Sequence, residues 1–197
     1  SHERTVSELS RVLVYLGVFG LASLIRGSRG TRHMVAAVGT AIALVALVAL
    51  ATRLHPDWIP EASLTGQLLS GAQSRLSYPL NYWNGLAELI AIGLPLIFYV
   101  AVYSKSVLVR AGAGGLLPPL MLALYFTFSR SGIGAALAGM AIFMIFTGDR
   151  IRAIPPLLIA AGGGAILIAA ASGKGALEDG LVGPIAQSQG DGLMMLT

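Results

Sequence analysis

Apolar residues in this chain come in long runs separated by short polar interruptions. A bilayer core about 30 Å thick needs about 20 mostly apolar residues per helix. Six runs meet that requirement: Val6 to Ile25, Met34 to Thr52, Gly85 to Tyr103, Ala111 to Ser129, Ser131 to Thr147 and Ala153 to Ser172. Glu8 and Arg11 occupy the opening turns of the first. Pro118 and Pro119 interrupt the fourth, so neighbouring groups must take up the backbone carbonyls they free. In the sixth, Pro155 and Pro156 fall in the first turn as read here, where missing N–H groups cost little. Further along, Gly162, Gly163 and Gly164 form a smooth patch suited to close helix packing. The pattern predicts an all-α, polytopic transmembrane bundle of about six spans, forming a single domain over residues 1–197.

Basic residues set the expected orientation, because Lys and Arg near helix ends tend to stay cytoplasmic. The short loops hold Arg26, Arg29 and Arg32, then Lys105 and Arg110, then Arg150 and Arg152, against the single acid Asp149; seven bases and one acid leave a net of +6. Alternation puts the first residues, the 53–84 loop, the turn at Ser129 to Ser131 and the tail from Gly173 on the other side. That side carries Arg4, Arg11, Arg53, Arg75, Arg130 and Lys174 against Glu3, Glu8, Asp57, Glu61, Glu178, Asp179 and Asp191; six bases and seven acids leave a net of −1. Both termini are therefore expected to be extracytoplasmic. The opening SHERTVSELSR has no signal-peptide pattern, and an extracytoplasmic start without one is the expectation for a piece of a larger bundle.

Composition agrees with a membrane protein. Of 197 residues, 55% are hydrophobic and 11% charged, against roughly 25% charged in soluble domains; mean hydropathy is +0.78. A net charge of +4 and a pI near 9.8 raise the question of nucleic acid, but the basic residues form no stripe or aromatic-interleaved patch, which argues against it. No cysteine is present, which excludes disulfides and thiolate metal sites, and three scattered histidines make no metal centre.

Two stretches carry polar chemistry at the edge of apolar runs. The first is SRLSYPLNYWNGLAE, residues 74–88. Pro79 disfavours helix at Tyr78, and a helix starting near Asn81 or Asn84 would use asparagine as its N-cap. On such a helix Asn81, Asn84 and Glu88, at i, i+3 and i+7, make one polar stripe entering the membrane. Tyr78, Tyr82 and Trp83 also fit an interfacial aromatic belt, and Glu88 also fits a simple ion-pair partner. The second stretch is YFTFSRSGIGAALAG, residues 125–139, with Arg130 at a tight turn and Ser131 as an N-cap. Arg130 fits either a snorkelling headgroup contact or a place inside the bundle, since Gly132, Ala135, Ala136 and Gly139 allow close helix approach. Arg75 and Arg130 fall on the same expected side, each at the mouth of a span. Two guanidiniums facing one pocket suit a diphosphate, whose oxygens their planar forks bind in pairs. No Walker A loop, no GxGxxG and no carboxylate cluster for a divalent metal is present in the sequence.

R-x-S-Y-P-L-x-Y-W-N opening a span, then LYFTFSRSGIGAALAG, then the basic GDRIRAIP loop, resembles the O-antigen ligase and O-antigen polymerase superfamily of bacterial envelope glycosyltransferases. The resemblance covers nearly the whole chain and rests on the order of the motifs more than on any one of them. It implies a multi-span protein of the bacterial cytoplasmic (inner) membrane in cell-surface polysaccharide synthesis. The donor would be a polyprenyl-diphosphate-linked glycan, the acceptor a lipid or glycan, with membrane lipids around it and no metal or nucleotide cofactor. Arg130 matches the family's arginine for the carrier diphosphate, and Arg75 matches a basic residue of the earlier outer loop. Asn81, Asn84, Glu88 and Tyr78 complete the expected substrate-binding set. The family's large outer loop would begin at 173–197, and its catalytic base is expected beyond Thr197, so the chain is expected to be inactive alone. The alternative is a transporter or flippase for a lipid-linked or small anionic substrate, because Pro-broken helices and polar residues within spans also mark transport paths. A purely structural membrane subunit would need neither Arg75 nor Arg130.

Overall fold

The computed structural model describes residues 27–55, 58, 74–175 and 184–195. Every regular element among them is a helix: α1 (Gly27–Leu54), α2 (Trp83–Tyr103), α3 (Val107–Phe126), α4 (Arg130–Phe146), α5 (Arg150–Ser172) and the short α6 (Pro184–Met194). Four of them, α1, α2, α3 and α5, are long and apolar enough to cross a membrane. The span expected at Val6 to Ile25 lies outside the described residues. The next five expected spans correspond to α1 to α5. The fifth of the six, α4, is a 17-residue apolar helix, about 25 Å long at 1.5 Å per residue. α1 begins seven residues before its apolar run, because helical hydrogen bonding does not stop where hydropathy does.

α2 is the centre of the bundle, packed against α1, α3 and α4. Its Leu86, Ile90, Ile97 and Phe98 are fully or almost fully buried, and the Phe98 ring meets Phe143 of α4 edge-on at 5.2 Å. Lipid tails are as apolar as leucine, so close packing rather than water exclusion must hold such helices together. Glycine supplies the closeness. A Cβ on Gly132 would overlap the Ala87 methyl, and one on Gly93 would overlap Ile42. The expected α4 packing face is thus present, with Gly132 and Ala136 buried and Gly139 beside Pro95, while Ala135 is exposed. The outer face of α4 leaves Leu137, Ile145 and Phe146 uncovered.

Prolines and glycines are matched. Pro118 and Pro119 lie inside α3 without ending it. The carbonyls they leave without donors belong to Gly114 and Gly115, four residues earlier, where no side chain crowds the ring. Pro95 likewise frees the carbonyl of Ala91, and α4 brings Gly139 to that place, its Cβ direction 3.9 Å from the Ala91 oxygen. Pro155 and Pro156 depart from expectation: α5 starts at Arg150, so they stand one turn deeper than the first turn. The helix that starts after Asp149, whose side chain pairs with Arg152 rather than capping, recruits the basic residues that hydropathy leaves in the loop. Just after these prolines α5 widens into a π-turn, Ile159–Gly163, a bulge of the sort that relieves a disturbed hydrogen-bond ladder. There Gly163 lies on Pro118, with a built Cβ 2.7 Å from its ring, and Gly164 lies on Met121; Gly162 meets nothing. Two of the three glycines in the expected patch therefore pack.

Leu at position 132 has to force α2 and α4 apart at Ala87. Gly132→Leu is expected to cost about 1–3 kcal/mol, the usual range for overpacking, and to lower the thermal unfolding midpoint of the detergent-solubilised protein by several degrees. Gly134→Leu, whose Cβ would meet nothing within 4 Å, is expected to leave the midpoint unchanged or higher.

Candidate functional site

The polar residues converge at one end of the bundle, where α1 and α3 finish and α2 and α4 begin. Arg53, on the last turn of α1, is 7% exposed. Its Nη2 donates to the carbonyl of Ser74, and its guanidinium stands over the Phe126 ring, 5.5 Å from the centroid. The Leu76 N–H donates to the Phe126 carbonyl at 2.8 Å. The irregular start of the 74–82 segment is thereby fastened to the ends of α1 and α3. Arg75 then lies over the Trp83 ring at 5.0 Å, a cation–π contact that aims a half-buried guanidinium across the start of α2. The indole Nε1 of Trp83 is buried and has no hydrogen-bond partner among the described residues.

The start of α2 corrects the expected helix cap. Tyr78–Pro79 is a cis peptide, Asn81 adopts φ +56°, and the N-cap is Tyr82, whose side chain makes no capping bond. Asn81 therefore stands in a turn outside the helix, and its N–H donates to the Ser77 carbonyl at 2.7 Å. The three-residue polar stripe is not formed, because left-handed backbone at Asn81 takes it out of helical register. Asn84 and Glu88 remain on adjacent turns of one face. Glu88 is exposed on α2, with no ion-pair partner among the described residues.

The turn between α3 and α4 is built from hydroxyls. The Thr127 hydroxyl donates to the Leu124 carbonyl at 2.6 Å and accepts from the Ser129 N–H at 3.3 Å. Phe128 between them has φ +49°, a strained state for a bulky residue, and strain of this kind gathers at functional places. Ser129, not Ser131, is the N-cap: its Oγ accepts from the Gly132 N–H at 3.2 Å. The same hydroxyl donates to Asn84 Oδ1 at 2.9 Å, tying α4 to α2. Its one hydrogen being used there, the 3.1 Å contact with Ser131 has Ser131 as donor. Arg130 follows as the first residue of α4, exposed rather than enclosed by the bundle, with no partner among the described residues.

Sequence reasoning placed Arg75, Asn84 and Arg130 at this end, and they gather around Trp83 and Ser129. Tyr78 is half-buried in the same segment, while Asn81 and Glu88 stand to its flanks. Arg53 and His55 open the long 53–84 loop but are not among the expected substrate-binding residues. His55 is 6% exposed, stacks on Trp58 at 4.2 Å, and places Nε2 3.6 Å from Asp191 Oδ1 of α6. α6 crosses the end of α1 with Gly190 against Leu54, and Lys174 donates to the Gln189 carbonyl at 2.8 Å. The signal in the sequence was the RLHPDW run directly after an apolar helix, too dense in polar groups for a plain snorkelling end.

Below the turn lies an apolar cavity of about 260 Å³ between α2, α3, α4 and α5. Leu124, Tyr125, Ile133, Ala136, Leu137 and Ala160 are among its walls. Ile133 is one turn from Arg130, so the cavity adjoins the polar end, and the π-turn of α5 contributes Ala160. The geometry can therefore hold an anion at the arginines and an apolar chain below them. No family model, curated protein or solved structure matches the chain.

Arg53→Met removes the donor to Ser74 while keeping much of the side-chain volume. Amide exchange at Leu76 and Asn81 is expected to quicken about tenfold, the effect of losing about 1.4 kcal/mol of local protection. Exchange within α2 below Ile90 is expected to stay the same, and Arg53→Lys to fall between.

Proposed function

We propose that this chain binds a polyprenyl-diphosphate-linked glycan at the extracytoplasmic face of the bacterial cytoplasmic membrane, and takes part in metal-independent, inverting glycan transfer of the O-antigen ligase or polymerase kind. The observation that carries the reading is where the buried polar residues sit. Among the described residues they are Thr52, Arg53, His55, Thr127 and Ser129, all at the end that also holds Arg75 and Arg130. A transport path would place polar groups at several depths along the helices, so chemistry at one face is the better fit.

In this reading Arg75 and Arg130 take the diphosphate oxygens, and the Trp83 N–H is a further donor that a ligand or water oxygen would satisfy. Asn84, held by Ser129, borders the same space. The first isoprene units enter the apolar cavity beneath Arg130. An acceptor hydroxyl attacks the anomeric carbon with inversion, its proton passing to a general base that the resemblance places outside these residues, while the sugar–phosphate C–O bond breaks and polyprenyl diphosphate leaves. Negative charge grows on the leaving oxygen, where fixed guanidiniums stabilise it without reorganising.

Purified chain in detergent is expected to retain undecaprenyl diphosphate in preference to an uncharged polyprenol. Arg75→Ala and Arg130→Ala are each expected to weaken retention about tenfold, since a charge-assisted hydrogen bond is worth about 1.5–3 kcal/mol. In membranes that support transfer, each is expected to slow the reaction by about 10²-fold. Full retention and full transfer in the double variant would exclude the diphosphate clamp.

A further inference from the structure

The opposite end of the bundle holds a second constellation, on which the proposed glycan transfer makes no demand. A cavity of about 600 Å³ opens there between the start of α1 and the end of α2. Arg29, Arg32 and His33 reach it from α1, Tyr99 and Tyr103 from α2, and Lys105 from the turn that follows. No acid is among its lining residues. The nearby Asp149 is engaged by Arg152 Nε at 3.0 Å. Among the described residues Arg29, Arg32 and Lys105 have neither a hydrogen bond nor an ion pair. Three cations thus converge on one concavity with no acid among the described residues to neutralise them.

The floor is preorganised. Tyr103 shares a hydrogen bond of 2.5 Å with Thr147 Oγ1, which ties the end of α2 to the end of α4. The Tyr99 ring packs on Tyr103 at 5.0 Å. Arg110 Nε donates to the Ala101 carbonyl at 3.3 Å and holds the α2–α3 turn in place, keeping Lys105 at the rim. Beside that rim Val107, Leu108 and Val109 are 75%, 84% and 49% exposed. Cationic forks above an aromatic floor, with exposed aliphatic residues alongside, suit a phosphate that carries hydrocarbon chains.

We propose that this cavity is a phosphate-binding site for the headgroup of an anionic lipid, with Arg29, Arg32 and Lys105 as the phosphate ligands. It is separate from the site at the Arg75 and Arg130 end. A soluble phosphate ester offers the same oxygens, and hydrocarbon chains distinguish the two sources.

The test is native mass spectrometry of the full chain in detergent, with phosphatidylglycerol and phosphatidylcholine supplied together. Phosphatidylglycerol is expected to be retained about tenfold over phosphatidylcholine, and R29Q/R32Q/K105Q to bring the ratio to about one. R29K/R32K is expected to keep most of the preference, and Arg150→Gln, at the same end but outside the cavity, all of it. Should the triple variant not fold, R32Q and K105Q are read singly, each expected to lower the ratio about threefold. A second arm adds glycerol 3-phosphate. Displacement of the lipid at millimolar concentration, together with thermal stabilisation lost in R32Q, would assign the site to soluble phosphate esters and still support it. Equal retention of both lipids by the wild type without stabilisation by glycerol 3-phosphate would overturn the proposal, as would an unchanged preference in a triple variant of normal helicity.

Discussion

Arg53 is a charge delivered by an apolar helix to a place almost without water. A guanidinium in that position is tolerated only if its N–H groups and its face are occupied. The Ser74 carbonyl and the Phe126 ring meet part of that demand, with Nε left without an acceptor among the described residues, and in doing so they fix the 74–82 segment against the ends of α1 and α3. The consequences run outward from there. Leu76 bonds to Phe126, Arg75 comes to lie on Trp83, and the turn through Pro79 and Asn81 starts α2 where Asn84 can reach Ser129. The polar end is thus one connected structure, assembled around a single buried cation.

The bundle beneath it is shaped by backbone rather than by large side chains. Each proline inside a helix leaves a carbonyl without its donor, and those freed by Pro95, Pro118 and Pro119 sit at glycines or face one. Gly114 and Gly115 stand opposite Pro118 and Pro119, and Gly139 stands over Ala91 and Pro95. The π-turn in α5 comes directly after Pro155 and Pro156, and its Ala160 and Ala161 help to line the apolar cavity that adjoins Arg130. A break in helical regularity is in this way linked to the space that an isoprenoid chain would need.

Much of this architecture is legible in the hydropathy of the chain, because apolar run length alone locates α1 to α5, to within four residues at each end except the start of α1, which lies seven residues earlier. Close packing by Gly132, Gly163 and Gly164 is legible for the same reason: small residues at helical spacing have one physical use in lipid. The misreadings are local. A cis proline and a left-handed asparagine moved the start of α2 past Asn81, and a hydroxyl two residues earlier than Ser131 took the cap of α4. Both depend on backbone angles that residue types permit without dictating. The parts played by Arg53, His55 and α6 depend on contacts across 21 to 139 residues of sequence, a range at which periodicity carries no information.

The proposed function requires the polar end to face outward and the basic cavity to face the cytoplasm. Because the chain has no cysteine, single introduced cysteines report position without background. Leu80→Cys lies at the polar end and Gly148→Cys at the other, both exposed. With a membrane-impermeant maleimide on intact cells, or on spheroplasts where an outer membrane is present, the account predicts labelling at position 80 and labelling at position 148 only after permeabilisation. Labelling of position 148 in intact cells, with position 80 protected, would contradict it.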